Sequence, residues 1–162
     1  RNTKQIAEYA HNAVPDGDFE DISKLPDGPT PEIHYVNNEK GEQEQVRKIL
    51  HELISNNIDP ETIVILGPKK LQNSSLANCL KLGNCKIIEE NSTTIDLGLD
   101  GSKVSHNIRY STVQKFKGME ADCVILIGIG IKSSFYKEEH MNRMRYIGGS
   151  RAKVILHIIE WG

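Results

Sequence analysis

Three short apolar runs constrain the fold of this chain more than any other feature: TIVILG at 62–67, CVILIGI at 123–129 and VILHII at 154–159. None alternates apolar with polar residues, so none reads as a strand with one face in water. Each is far shorter than the roughly 20 apolar residues that a membrane span requires. Short, nearly unbroken runs rich in Val and Ile read as strands buried on both faces. Such strands belong to parallel sheets covered by helices.

The intervening segments supply those helices. Thr3 is placed to cap a first helix whose Ile6, Ala7, Ala10 and Val14 share a face before Pro15 stops it. Gly41–Asn56 has Val46, Ile49, Leu50, Leu53 and Ile54 at helical spacing. The pattern also predicts helices over Ser74–Leu82 and Lys137–Ile147, and strands over Glu32–Val36, Lys86–Glu89 and Ile108–Val113. Residues 15–31 hold four of the six prolines and read as a flexible loop; 91–107 are polar, without period, and read as another. The expectation is one α/β domain over 1–162: an open, mostly parallel sheet with helices on both faces.

At 162 residues, 38% apolar and 26% charged, the chain suits one ordinary globular core. RNTKQIAEYA at the start has no apolar segment of the secretory kind, and three cysteines (Cys79, Cys85, Cys123) without metal-ligand spacing fit a reducing cytoplasm. Cys123, inside an apolar run, reads as a buried thiol. Net charge is −2, but it is unevenly spread: residues 1–102 carry 10 basic against 17 acidic side chains, and residues 103–153 carry 10 against 4. A basic final third facing polyphosphate and chance surface charge account for this equally well.

Several chemistries are excluded. No G-x-x-x-x-G-K-[ST] phosphate loop is present, and GIGIKSS at 128–134 has the wrong spacing for one. The six histidines are scattered, and no hydrolase triad or metal motif emerges from their spacing; His51–Glu52 on the long helix reads as structure.

Three segments, in order, resemble the UvrD/Rep/PcrA group of superfamily-one DNA helicases. TVQKFKGMEADCVILIG (112–128) resembles motif V, T-x-H-x-x-K-G-L-E before an apolar strand. RYIGGSRAK (145–153) resembles motif VI, Y-V-A-L-T-R-A-K. RNTKQIAEYA (1–10) resembles the end of motif IV. The resemblance spans essentially the whole chain. It implies the second RecA-like motor domain of an ATP-dependent helicase, a fragment of a longer protein whose first domain carries the P-loop and the Mg²⁺ ligands. It further implies ATP and Mg²⁺ as cofactors, and single-stranded DNA and the N-terminal RecA-like domain as partners, with DNA repair or replication proteins as further ones and no membrane. The isolated domain is expected to be inactive. The competing reading is a non-catalytic RecA-like protein-interaction module.

The resemblance also implies residue roles. Arg151 matches the motif VI arginine that approaches the γ-phosphate across the interdomain cleft, a task suited to a planar, always-charged guanidinium. Arg1 matches a second phosphate-facing cation. Gly118 brings the backbone close to the nucleotide, and Glu120 accepts from the ribose hydroxyl. Thr112 and Gln114 match positions that touch the DNA backbone, Gln114 standing where the family usually has His. Lys117 is a phosphate contact or a solvated charge. Tyr146 matches the motif VI tyrosine, or packs in the core. Two departures stand out: Gly148–Gly149 replaces Ala-Leu, which weakens the helix by about 1 kcal/mol per glycine and loosens the finger. In GPKKLQNSS (67–75), Pro68 takes the approximate place of a DNA-binding arginine and leaves Lys69 and Gln72 as weaker strand contacts.

Overall fold

A computed structural model describes residues 2–77, 79, 81–82, 84–89, 106–131 and 137–162. In chain order the elements are α1 (Lys4–Ala13), β1 (Glu32–Val36), α2 (Glu39–Ser55), β2 (Ile63–Gly67), β3 (Lys81–Leu82), β4 (Cys85–Glu89), β5 (His106–Thr112), β6 (Ala121–Ile129), α3 (Glu138–Gly149) and β7 (Ala152–Trp161). The strands form one sheet in the order β1-β7-β6-β2-β5-β4-β3. Every pairing is parallel except the short β3–β4 hairpin at the edge. No described helix is long and apolar enough to cross a membrane.

The three apolar runs are the middle of this sheet, as expected. On one face Ile63, Ile65, Cys123 and Ile125 pack against Val46, Ile49, Leu50 and Leu53 of α2. On the other, Val64, Leu66, Val124, Leu126, Leu156 and Ile158 pack with Ile6 of α1 and Met144 of α3. Each interior strand thus sends alternate residues into two separate cores, which is why its sequence shows no polar alternation. Cys123 is fully buried, and burial pushes its thiol up to about 12.

Thr3 caps α1 through Ile6 N–H, and Asn38 caps α2 through Gly41 N–H, a start two residues earlier than the periodicity indicates. The loop at 15–31 has neither helix nor strand. Its later part is bound to the start of α1: Lys4 N–H donates to Pro26 O at 2.8 Å, and Gly28 N–H to Gln5 Oε1 at 2.8 Å. Of the loop expected at 91–107, residues 91–105 lie outside the described residues and 106–107 open β5.

One predicted helix does not form among the described residues. Instead of Ser74–Leu82, the chain makes a short 3₁₀ turn at Leu71–Asn73, and Lys81–Leu82 pairs antiparallel with Cys85–Lys86. Ser74 Oγ donates to Leu71 O and accepts from Leu76 N–H, offering the backbone an alternative to helical bonding. Leu82-Gly-Asn-Cys85 carries the residue types of a two-residue hairpin, a signal that outranks the apolar spacing before it.

The paired glycines of α3 have a packing role. A Cβ at Gly148 would come within 2.6 Å of Leu126 Cδ1, a side chain fully buried in the second core. Gly148 is what lets α3 lie close on β6, so the expected loosening gives way to tight seating. Gly148→Leu should therefore lower stability by about 1–3 kcal/mol through overpacking. Helix propensity alone would give a gain of about 1 kcal/mol; urea unfolding separates the two.

Candidate functional site

The parallel pairing of β6 with β7 sets Ala121 beside Ala152. The residues just before each strand therefore emerge together, at the amino edge of the sheet: Gly118–Glu120 from one and Arg151 from the other. Ala121 N–H donates to Arg151 O at 3.0 Å, which locks the two approaches. Asn2 closes the arrangement from a third side. Its side-chain amide donates to Ser150 O at 2.7 Å and Ala152 O at 2.6 Å, bracketing Arg151, and Thr3 N–H donates to Lys153 O at 3.1 Å. Nothing local in the sequence marks Asn2, because its partners lie at the far end of the chain. Arg1 lies outside the described residues.

Two arginines six positions apart behave differently here. Arg145 forms a fork with Glu160 at 2.7 and 2.9 Å and also donates to Asn142 at 2.6 Å. Its charge is consumed inside the fold. Arg151 pairs with no carboxylate among the described residues. Its contact through Nη1 is a long 3.5 Å approach to Met119 O, and its Nε is buried without a partner. A buried donor left unpaired costs about 1–3 kcal/mol, so the fold holds Arg151 at a local cost in stability.

Around it, Gly118 adopts φ +83° with nothing within 4 Å of where a Cβ would stand. The glycine is needed here for its left-handed turn, and the space in front of it is open. Glu120 lies 3.5 Å from Lys153 Nζ. Both side chains are largely exposed, and such pairs contribute little to stability.

The remaining predicted residues fall elsewhere. Thr112 ends β5 beside Gly67, at the carboxyl edge of the sheet, and Lys69 and Gln72 follow β2 on that same edge. Thr112 Oγ1 accepts from Lys115 N–H at 3.1 Å and opens a turn whose Val113 and Phe116 are buried while Gln114, Lys115 and Lys117 face outward. Lys117 sits on the crossover between the two edges. Tyr146 packs on Phe19, with ring centroids 5.5 Å apart. The carboxyl ends of strands, where α/β domains commonly place ligands, thus hold only part of the predicted set. Arg151, Gly118 and Glu120 are at the opposite end.

The carboxyl edge contains a cavity of about 390 Å³, lined among others by Glu42, Lys69, Ser75, Tyr110, Gly128 and Trp161. Glu42, unremarked in the sequence, is buried there. Its carboxylate accepts from Ser75 Oγ at 2.7 Å, Gly128 N–H at 2.9 Å and Trp161 Nε1 at 2.8 Å. Desolvation by burial raises its pKa against these bonds. The first amide of the GIGIKSS segment is thus already given to a carboxylate, which argues against a phosphate cradle at that point; residues 132–134 lie outside the described ones. The side chain of Tyr110 donates to Lys69 O and fixes the segment after β2.

If Asn2 holds the Arg151 approach, Asn2→Ala leaves two half-buried carbonyls without that donor and lowers unfolding stability by about 1–3 kcal/mol. Asn2→Asp should cost more, because it turns a carboxylate toward them. Unchanged denaturation midpoints for both would remove the clamp.

No family model matches the chain, and no curated protein matches it in sequence. Its backbone is similar to a solved structure, the C-terminal domain of a possible DNA helicase from Lactobacillus plantarum WCFS1, with a TM-score of 0.63. The match covers 100% of this chain and 87% of that one, at 22% sequence identity. The chain therefore shares its whole α/β fold with that helicase C-terminal domain.

Proposed function

We propose that this chain is the second motor domain of an ATP-driven DNA helicase or translocase of UvrD-like type, and that Arg151 serves an ATP site completed by another RecA-like domain. The observation that carries this reading is the state of Arg151. Its backbone is fixed by the Ala121 N–H bond to Arg151 O and by the Asn2 amide on the carbonyls of both neighbours, it pairs with no carboxylate among the described residues, and its buried Nε has no acceptor. The fold shared with a helicase C-terminal domain and the order of the three motif-like segments support it.

ATP with its Mg²⁺ would supply the anhydride to be cleaved, with the phosphate-loop lysine and metal ligands expected on the partner domain. The end of the Arg151 guanidinium, whose Nη1 has only the long 3.5 Å approach to Met119 O, fits an incoming phosphate oxygen, and the open ground before Gly118 fits a nucleotide. Arg151 then donates to oxygens whose charge grows in the transition state. Glu120 accepts from a sugar hydroxyl, at the expense of its exposed contact with Lys153. At the carboxyl edge, Thr112 and Gln114 hold the sugar-phosphate backbone of a single strand, with Lys69, Gln72 and Lys117 adding to the grip. Arg1 is proposed as the second phosphate-facing cation.

In a protein carrying both domains, Arg151→Ala should lower strand-stimulated ATPase by roughly 10³–10⁵-fold and leave nucleotide affinity within about tenfold. Lys should restore little, lacking the bidentate fork. An unaltered rate would favour the RecA-like interaction module instead.

Replacing Thr112 and Gln114 together by Ala should weaken single-strand binding about equally for purine-rich and pyrimidine-rich oligomers, with little change in salt slope. Lys117→Ala should lower that slope by about one. Titrations at several salt concentrations check both; unchanged affinity in the double variant would take this turn out of the strand path.

A further inference from the structure

The parallel pairing of β1 with β7 places Glu32 directly opposite His157, and strand alternation puts His34 on the same face as Glu32. Three ligand atoms converge there. His34 Nε2 and His157 Nδ1 are 3.0 Å apart, His157 Nδ1 is 3.4 Å from Glu32 Oε2, and His34 Nε2 is 3.7 Å from that oxygen. With both imidazoles neutral, one N–H bridges the two ring nitrogens at 3.0 Å, and the Glu32 oxygen, at 3.4 and 3.7 Å, lies beyond an ordinary hydrogen bond from either. A divalent cation satisfies all three together. A tetrahedral zinc ion with bonds of about 2.0–2.1 Å holds its ligand atoms about 3.3–3.4 Å apart, and the observed separations bracket that value.

The surroundings suit such an ion. The amide nitrogen Nε2 of Gln45 on α2 lies 3.0 Å from His34 Nδ1. Its amide, turned by half a rotation, accepts from Nδ1–H and leaves Nε2 free as a ligand, the outer hydrogen bond that commonly orients metal-binding histidines. His157 is 7% exposed and Glu32 55%, so the site has a fixed inner wall and an open outer side for entry and for a fourth, water ligand. The rings lie end to end, with planes 18° apart and centroids 5.3 Å apart. Coordination therefore swings them out of line, which requires the His34 ring, on the edge strand and 21% exposed, to turn. We propose that Glu32, His34 and His157 bind one divalent transition-metal ion, zinc by ligand class, and so tie the edge strand β1 to β7. None of these residues belongs to the Arg151 cluster or the carboxyl-edge cavity. Spacing along the chain hides the site, because strand pairing alone joins His34 to His157.

Zinc titrated into the intact chain against a chromogenic chelator should give one bound equivalent and a raised Tm. Glu32→Gln and His34→Ala, both on an exposed edge and checked for fold by circular dichroism, should each weaken binding tenfold or more. Gln45→Ala should weaken it by about 10–100-fold. Cobalt in place of zinc should show a visible d–d band with no thiolate charge-transfer absorption. No binding, equal affinity in the Glu32 and His34 variants, or a thiolate band pointing to Cys79, Cys85 or Cys123 would each overturn the proposal.

Discussion

The burial of β6 on both faces is the constraint on which the rest of the structure depends. Cys123, Ile125 and Ile127 enter one core and Val124, Leu126 and Ile129 the other, so α2 and the α1–α3 pair are both seated on the same strand. Parallel pairing with β7 then brings the ends of two distant segments together. Glu120 and Arg151 owe their proximity to the Ala121–Ala152 register, and no local sequence feature would predict it without the sheet.

The fold also separates the two halves of the proposed chemistry. Arg151, Gly118 and Glu120 stand at the amino edge, while Thr112 and Lys69 stand at the carboxyl edge. The link between them is residues 113–120, a crossover anchored in the second core by Val113 and Phe116. On the proposed reading this short, well-packed segment has its strand contacts near one end and its nucleotide contacts at the other. A shift of Gly118–Glu120 on cleft closure would then be passed to Gln114 through a connection too short to absorb it.

Much of the fold was legible because apolar runs without alternation leave few alternatives to a covered parallel sheet. The capping residue Thr3 and the helical spacing of Val46 through Ile54 were equally readable. The segment after Ser74 was misread because its apolar spacing is weak and Ser74 bonds its own backbone, so the hairpin residues decided the outcome. Gly148 was misread as a weakness because propensity is local and the close approach to Leu126 is not. In the site, Arg151 could be singled out from its flanking motif, and its difference from Arg145 could not, since the Glu160 that pairs with Arg145 lies on β7 and not on α3. Asn2, Glu42 and the Glu32–His34–His157 cluster were invisible for the same reason: each gains its partners only through tertiary structure.

On the proposed reading, Arg151 acts on charge that develops during phosphoryl transfer. In the two-domain protein, binding of ADP with aluminium fluoride, a mimic of the transferring phosphoryl group, compares directly with binding of a non-hydrolysable ATP analogue. Arg151→Ala should weaken the transition-state mimic by a factor close to its loss of turnover, while affinity for the ground-state analogue stays within about tenfold. Equal weakening of both ligands, or of neither, would contradict it.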